Sequence, residues 1–325
     1  MKVATACAFA ALPLSALYAQ VPIADYHQHL FSPQVAALIN STTPPRSPAS
    51  AFKSISATDL IALLDSAAIE RALVLSVAYT WGSANRHVTD EYAHVKAEND
   101  WTSRQVARYP GRLRGFCSFN PLKSYAMKEL ERCAKDPQLH RGLKLHFGNS
   151  DVDLDNAQDV ARVRKVFEAA DRYHMPIVVH LHTSFSLHRG YGAKEATVFL
   201  NDLLPAAPHV PIQVAHLAGG GGYDATTDSA LSVFVEAIAR HDARMKNVWF
   251  EVATVVRPGI PSNIAQLVAT RIRAIGVTRV LYGSDAAEPG NLPPREGWEA
   301  FRSLLLLTNA EFRTIASNVP PYMHW

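Results

Sequence analysis

Ile23-Ala24-Asp25-Tyr26-His27-Gln28-His29 opens the patterned part of the chain, and its reading separates two architectures. The short apolar start reads as a first strand, Ile23 to His27, with polar residues at its end. An open doubly wound sheet needs a Gly-rich turn there, so that backbone can approach a phosphate. This turn has no glycine and carries two imidazoles two residues apart. A closed (β/α)8 barrel accommodates such an ending, because its chemistry sits at the C-terminal ends of its strands.

The alternation that starts here continues to the end of the chain. Apolar β-rich runs at 72–77, 113–118, 142–147, 176–181, 211–217, 248–252 and 279–282 give seven further strands. Helical patterns fall at 57–68, 90–108, 157–173, 294–307 and 310–317. Strands without polar alternation are buried on both faces, as parallel strands under helices are. The predicted fold class is therefore α/β, a (β/α)8 TIM barrel. Ser41 to Ser50, with Pro44, Pro45 and Pro48, is expected to be a long βα loop or lid.

Composition agrees with one large domain: 325 residues, 48% of them hydrophobic. Only 19% are charged and the net charge is +3 without clustering, so nothing calls for nucleic acid. Residues 1–19 read as a signal peptide, with Lys2 at its start and an apolar or small run from Val3 to Leu17. That run is shorter than the ~20 residues of a membrane span. The barrel domain is then 20–325, and a secreted or periplasmic location is expected. Cys7 would leave with the signal. Cys117 and Cys133 could pair, and the expectation is two buried thiols.

The histidines carry the functional argument. His27 and His29 point to one face of a strand and suit a divalent ion. Strand five ends in His180-Leu181-His182, strand six in His216, and strand eight in Tyr282-Gly283-Ser284-Asp285; strand four carries Lys144 and His146. Any single histidine here reads equally well as a satisfied core residue. The set converges on one face of a barrel. Gly219 to Gly222 follow His216 and would let backbone approach a ligand or form a hinge. Trp81, Arg86, Arg189 and Arg257 lie just beyond strand ends, where an arginine could clamp a carboxylate. Glu251, inside strand seven, needs a partner.

This pattern resembles the amidohydrolase superfamily. In detail it resembles the amidohydrolase-related branch that includes aminocarboxymuconate semialdehyde decarboxylase, other nonoxidative decarboxylases and lactone hydrolases. Tyr109-Pro110-Gly111-Arg112-Leu113, Gly142-Leu143-Lys144-Leu145-His146, Met175-Pro176-Ile177-Val178-Val179-His180 and Tyr282-Gly283-Ser284-Asp285 carry the likeness across almost the whole chain after residue 20. The resemblance implies one divalent metal, zinc, held by His27, His29, His180 and Asp285, with Asp285 and His216 as catalytic residues. His216 would stand beside the metal rather than on it. Asp285 would take the proton of a water acidified by the ion. Lys144, His146, His182 and Arg257 are assigned to the surroundings or the substrate, although His182 could replace His180. A second metal through a carboxylated Lys144 is the less favoured arrangement. The expected activity is hydrolysis of a lactone, ester or amide of a small, carboxylate-bearing substrate, a choice that leans on the expected export. The alternatives are nonoxidative decarboxylation of an aromatic or unsaturated acid and a noncatalytic ligand-binding barrel. A homo-oligomer stays open.

Overall fold

The computed structural model describes residues 21–184 and 187–324. The signal-peptide reading lies outside the described residues. Eight strands form one parallel sheet in sequence order: β1 (Ala24–Gln28), β2 (Arg71–Leu75), β3 (Leu113–Ser118), β4 (Leu143–His146), β5 (Ile177–His180), β6 (Ile212–Val214), β7 (Val248–Glu251) and β8 (Val280–Leu281). Two backbone hydrogen bonds, Tyr26 N to Tyr282 O and Asp285 N to His27 O, both 2.9 Å, close β8 onto β1. The fold is the expected (β/α)8 barrel.

Local chemistry explains the outer layer. The helix α1 (Pro33–Thr42) starts with Ser32 accepting from Val35 N and Pro33 in its first turn. Its last residues take part of the expected loop at 41–50. The next, α2 (Ala57–Ala67), has a capping box between Ser56 and Asp59. Then come α3 (Glu91–Val106), α4 (Ala126–Ala134), the single turn α5 (Phe147–Ser150) and α6 (Ala157–Arg172). Buried Val163, Val166, Phe167 and Ala170 on α6 follow the helical period and belong to the main apolar cluster. The sequence continues through α7 (Ala193–Val198), α8 (Ala225–Ala239), α9 (Ser262–Ile275), α10 (Pro294–Leu304) and α11 (Asn309–Ser317).

Two features position the site. The register of β1 against β2 shifts between Asp25 and Gln28. In an unbroken strand, neighbours point to opposite faces. The irregularity instead lets Tyr26 join the barrel's inner apolar cluster while His27, the next residue, lines the cavity above it. The second feature is the plug at the opposite end, where Tyr322 and Met323 enter that same inner cluster beside Leu75, Phe116 and Val178.

The expectation of two thiols is corrected. Cys117 on β3 and Cys133 on α4 form a disulfide, with Cα atoms 6.1 Å apart. The packing of α4 on the sheet sets that separation, which lies in the bridging range. Among the described residues no helix is long and apolar enough to cross a membrane.

Candidate metal centre and active site

At the C-terminal ends of the strands lies a cavity of about 230 Å³. His27 and His29 from β1, Lys144 and His146 from β4, His180 from β5, His216 after β6, Arg257 after β7 and Asp285 after β8 all line it. His182 does not. It is buried against the Tyr191 ring, 4.2 Å between centroids, with Nδ1 2.8 Å from Thr183 O.

Hydrogen bonds fix the tautomers of three rings. His27 Nδ1 meets Glu251 Oε1 at 2.9 Å, His29 Nδ1 meets Leu75 O at 2.7 Å, and His216 Nδ1 meets Ala253 O at 2.8 Å. Carbonyl and carboxylate oxygens only accept, so each Nδ1 carries the proton and each Nε2 presents a lone pair, that of His27 facing Lys144 Nζ at 3.4 Å as well. Glu251 accepts further from His216 N and Ala253 N, which answers the need for partners that its burial imposes. The Nε2 atoms of His27 and His29 face each other at 3.2 Å. Two lone pairs at that distance repel unless a cation lies between them. Asp285 Oδ1 is buried without a hydrogen-bond partner and stands 3.6 Å from His29 Nε2. His27, His216 and Asp285 each offer a donor atom within 4.8 Å of the other two. This nitrogen and oxygen set fits one divalent cation. His216, expected beside the metal, is thus among the converging donors. His180 stacks on His146 at 3.9 Å and meets the His216 ring edge-on at 5.0 Å.

Burial governs the charges. It lowers the pKa of His29 and His216 to about 3, and holds His27, His146 and His180 well below the usual imidazole value. The Lys144 ammonium, 3.4 Å from His27 Nε2, adds to that depression. Burial likewise brings Lys144 down to about 8 and Glu251 up to about 7, and raises Asp285 well above the carboxylate range. Burial works against the Lys144 ammonium on the cavity floor, and the acidic side chains of Asp285, Glu251 and Glu288 favour it.

The backbone is arranged for the same end. His216, Thr254 and Asp285 are left-handed, with φ of 53°, 58° and 54°. Such strain gathers where a fold must aim side chains at a site. Gly283 is required by close approach, since a Cβ there would meet Glu251 Oε2 and His27 Cβ at 2.9 Å each. Ser284 is tied by its N–H and hydroxyl to buried Asp25, so β8 delivers Asp285 in a fixed direction. The glycine run does approach the cavity, through Gly220 and Gly221.

Of the arginines singled out, Arg257 lines the cavity and donates to Asn291 Oδ1 at 2.7 Å. Arg189 is instead engaged by Asp151 and Asp153 at 2.9 and 3.1 Å. Arg86 donates to Thr42 Oγ1, and Trp81 stacks on His94 away from the cavity lining. Sequence reasoning missed Tyr79, Asn149, Thr254, Glu288 and Asn291 as lining residues. Glu288 and Asn291 follow Asp285 in the loop after β8, and that place was the available signal.

No curated protein matches this sequence. Solved structures with the same fold include a 5-carboxyvanillate decarboxylase from Sphingomonas paucimobilis, 16% identical, TM-score 0.63, covering 91% of this chain and 96% of that one. Another is a dihydroxybenzoic acid decarboxylase from a Polaromonas species, with bound manganese and the inhibitor 2-nitroresorcinol: 17% identical, TM-score 0.61, covering 91% and 95%. A third is a probable 2-pyrone-4,6-dicarboxylic acid hydrolase from Acinetobacter baumannii with citric acid bound, 16% identical, TM-score 0.58, covering 90% and 96%. A family model described as Amidohydrolase matches residues 24–318, nearly the whole described chain, and the protein belongs to the amidohydrolase family.

Proposed function

We propose that this protein is a metal-dependent carboxy-lyase that releases CO2 from a small aromatic or unsaturated acid. The observation that carries the proposal is the cavity floor, where the Nε2 lone pairs of His27 and His29 and the unpartnered Asp285 Oδ1 converge beside Lys144. Such a floor suits a divalent cation and an anionic ligand together. About 230 Å³ accommodates a one-ring acid. Likeness to decarboxylases of aromatic acids favours carbon–carbon cleavage over hydrolysis, which had been favoured only from the expected location.

When bound, the cation would anchor the acid through its oxygens and stabilise the negative charge that develops on the organic residue as the bond breaks. His27, His29, Asp285 and His216 are the residues placed to hold it, with His180 the further candidate. Arg257, at the cavity wall, pairs with substrate charge. The bond between ring carbon and carboxylate breaks, and its electron pair stays on the carbon. That carbon takes a proton that Asp285, with Oδ1 free of hydrogen-bond partners, relays from water, and CO2 departs. Zinc and manganese both suit the donor set.

Hydrolysis is the second reading, supported by the likeness to a pyrone dicarboxylic acid hydrolase. The Cys117–Cys133 disulfide supports export on the same footing. The deciding experiment incubates the metal-loaded protein with hydroxybenzoates and with lactones in D2O. Carboxy-lyase activity gives CO2 and one ring deuterium per turnover. Lactone opening without CO2 release would replace this proposal with hydrolysis.

A further inference from the structure

Four rings around the cavity have a hydrogen bond at Nδ1, and one of them is the reverse of the others. In His27, His29 and His216 the partner is an oxygen that accepts. In His146 the partner is the backbone N–H of Asn149, 3.1 Å from Nδ1, because His146 caps the single turn α5. A backbone N–H can only donate, so His146 Nδ1 bears no hydrogen and the ring proton sits on Nε2. An Nε2–H cannot ligate a cation. Among the described residues, that Nε2–H has no protein acceptor. The ring is nonetheless held in place, stacked on His180 at 3.9 Å with 15° between planes and packed on Tyr79 at 4.9 Å. A fixed donor at a cavity wall, without a protein acceptor, is satisfied by a ligand or by water.

We propose that His146 is the cavity's neutral hydrogen-bond donor to substrate, its Nε2–H holding an anionic oxygen of the bound acid. The assignment rests on the cavity being the substrate site, and holds for either reaction. His146 moves no proton. It adds a directed contact to an oxygen whose charge the cation and Arg257 share. Neighbouring Lys144 enters strand four on the same face, which explains the Lys-x-His spacing as one fixed positive charge and one fixed donor.

Two substitutions separate the two nitrogens. His146→Asn keeps an oxygen where Nδ1 was, and asparagine is a good N-cap, so α5 keeps its cap while the donor is lost. His146→Gln reaches further, restoring an N–H near the Nε2 position at the expense of the cap. Activity is measured in whichever reaction the parent performs, CO2 release or lactone opening, so that failure of the carboxy-lyase reading remains distinct. The Asn variant should keep the parent's metal content, raise KM and lower kcat/KM roughly ten- to hundredfold, the range of a hydrogen bond to a charged acceptor. The Gln variant should recover most of that loss. Equal losses in both variants, parent-like kcat/KM in the Asn variant, or loss of metal from it would each overturn the assignment. An independent readout needs no turnover. Long-range 1H–15N spectra of the metal-free, histidine-labelled parent should show an Nε2–H ring signal that is absent from the spectrum of His146→Asn. A proton found on Nδ1 of that ring would overturn the proposal.

Discussion

The barrel interior has two halves made by the same strands, and they obey opposite rules. In the lower half Tyr26, Leu75, Phe116, Val178 and Leu281 pack with Tyr322 and Met323 from the chain's end. The polar atoms that enter this half are paired. Tyr322 OH donates to Gln213 Oε1, Gln213 Nε2 donates to Tyr26 O at 3.1 Å, and Arg114 donates to Tyr322 O and His324 O. In the upper half the buried groups are Lys144, Glu251, Asp285 and the histidines, and there the pairing is left incomplete. Burial without partners costs stability. At the cavity floor a ligand can supply what the protein withholds from Asp285 Oδ1.

The largest effect that would break this comparison is a pair of deletions, one in each half. His27→Ala should lose bound divalent metal and turnover together, with little change in the apo protein's stability. Phe116→Ala should do the reverse, keeping metal content and kcat while losing about 3–5 kcal/mol of unfolding free energy, as large-to-small core changes do. Elemental analysis, kcat and denaturant titration on the two preparations check both. A Phe116→Ala protein that folds but fails to hold metal would show that the halves are coupled.

Next in size is Asp285→Asn. The amide keeps one oxygen for the cation but cannot deliver a proton. The variant should retain much of its metal while kcat falls about 10²–10⁴-fold, the usual worth of general acid–base catalysis. Near-parent turnover would move the proton to another group. Glu251→Gln tests the layer beneath. Its two oxygens accept from His27 Nδ1, His216 N and Ala253 N, and an amide cannot serve all of them. Metal affinity should drop roughly 10–100-fold, as it does when a ligand's outer partner is lost. Competition with a chelator measures it, and an unchanged affinity would show that Glu251 does not orient His27.

Most of the upper half is legible in the sequence alone, and the reason is local. Strand ends at the C-terminal face carry the chemistry of this fold, so His27, His29, His180, His216 and Asp285 announce themselves as polar residues closing apolar runs. Glu251 was visible as a charge inside a strand. What could not be read depends on distance through space. The shift in β1 that puts both Tyr26 and His27 inside is not encoded in a two-residue period. The partners of each Nδ1, and so the tautomers, come from carbonyls on other strands. The disulfide needed the 6.1 Å between β3 and α4, and spacing alone left Cys117 and Cys133 undecided. The lower half was the least legible. Nothing in the last residues, Pro320-Pro321-Tyr322-Met323, signals that they close a barrel from below.

That closing segment supplies the smallest and sharpest test. Tyr322 is almost fully buried, and its ring meets Phe116 at 5.7 Å while its hydroxyl bonds to Gln213 Oε1. Tyr322→Phe keeps the ring and its packing and removes only the hydroxyl. Gln213 Oε1 then loses its donor inside a sealed interior, and leaving one buried acceptor unpaired costs roughly 1–3 kcal/mol. That is less than the loss expected for Phe116→Ala, which removes packed volume. Gln213 lies on β6, two residues before the turn that carries His216, so the strand offers a direct route to the metal donors. If the two halves are independent, the loss appears in denaturant unfolding and neither kcat nor metal affinity moves. If kcat falls while unfolding free energy is unchanged, the plug at the bottom of the barrel sets the position of His216 at the top.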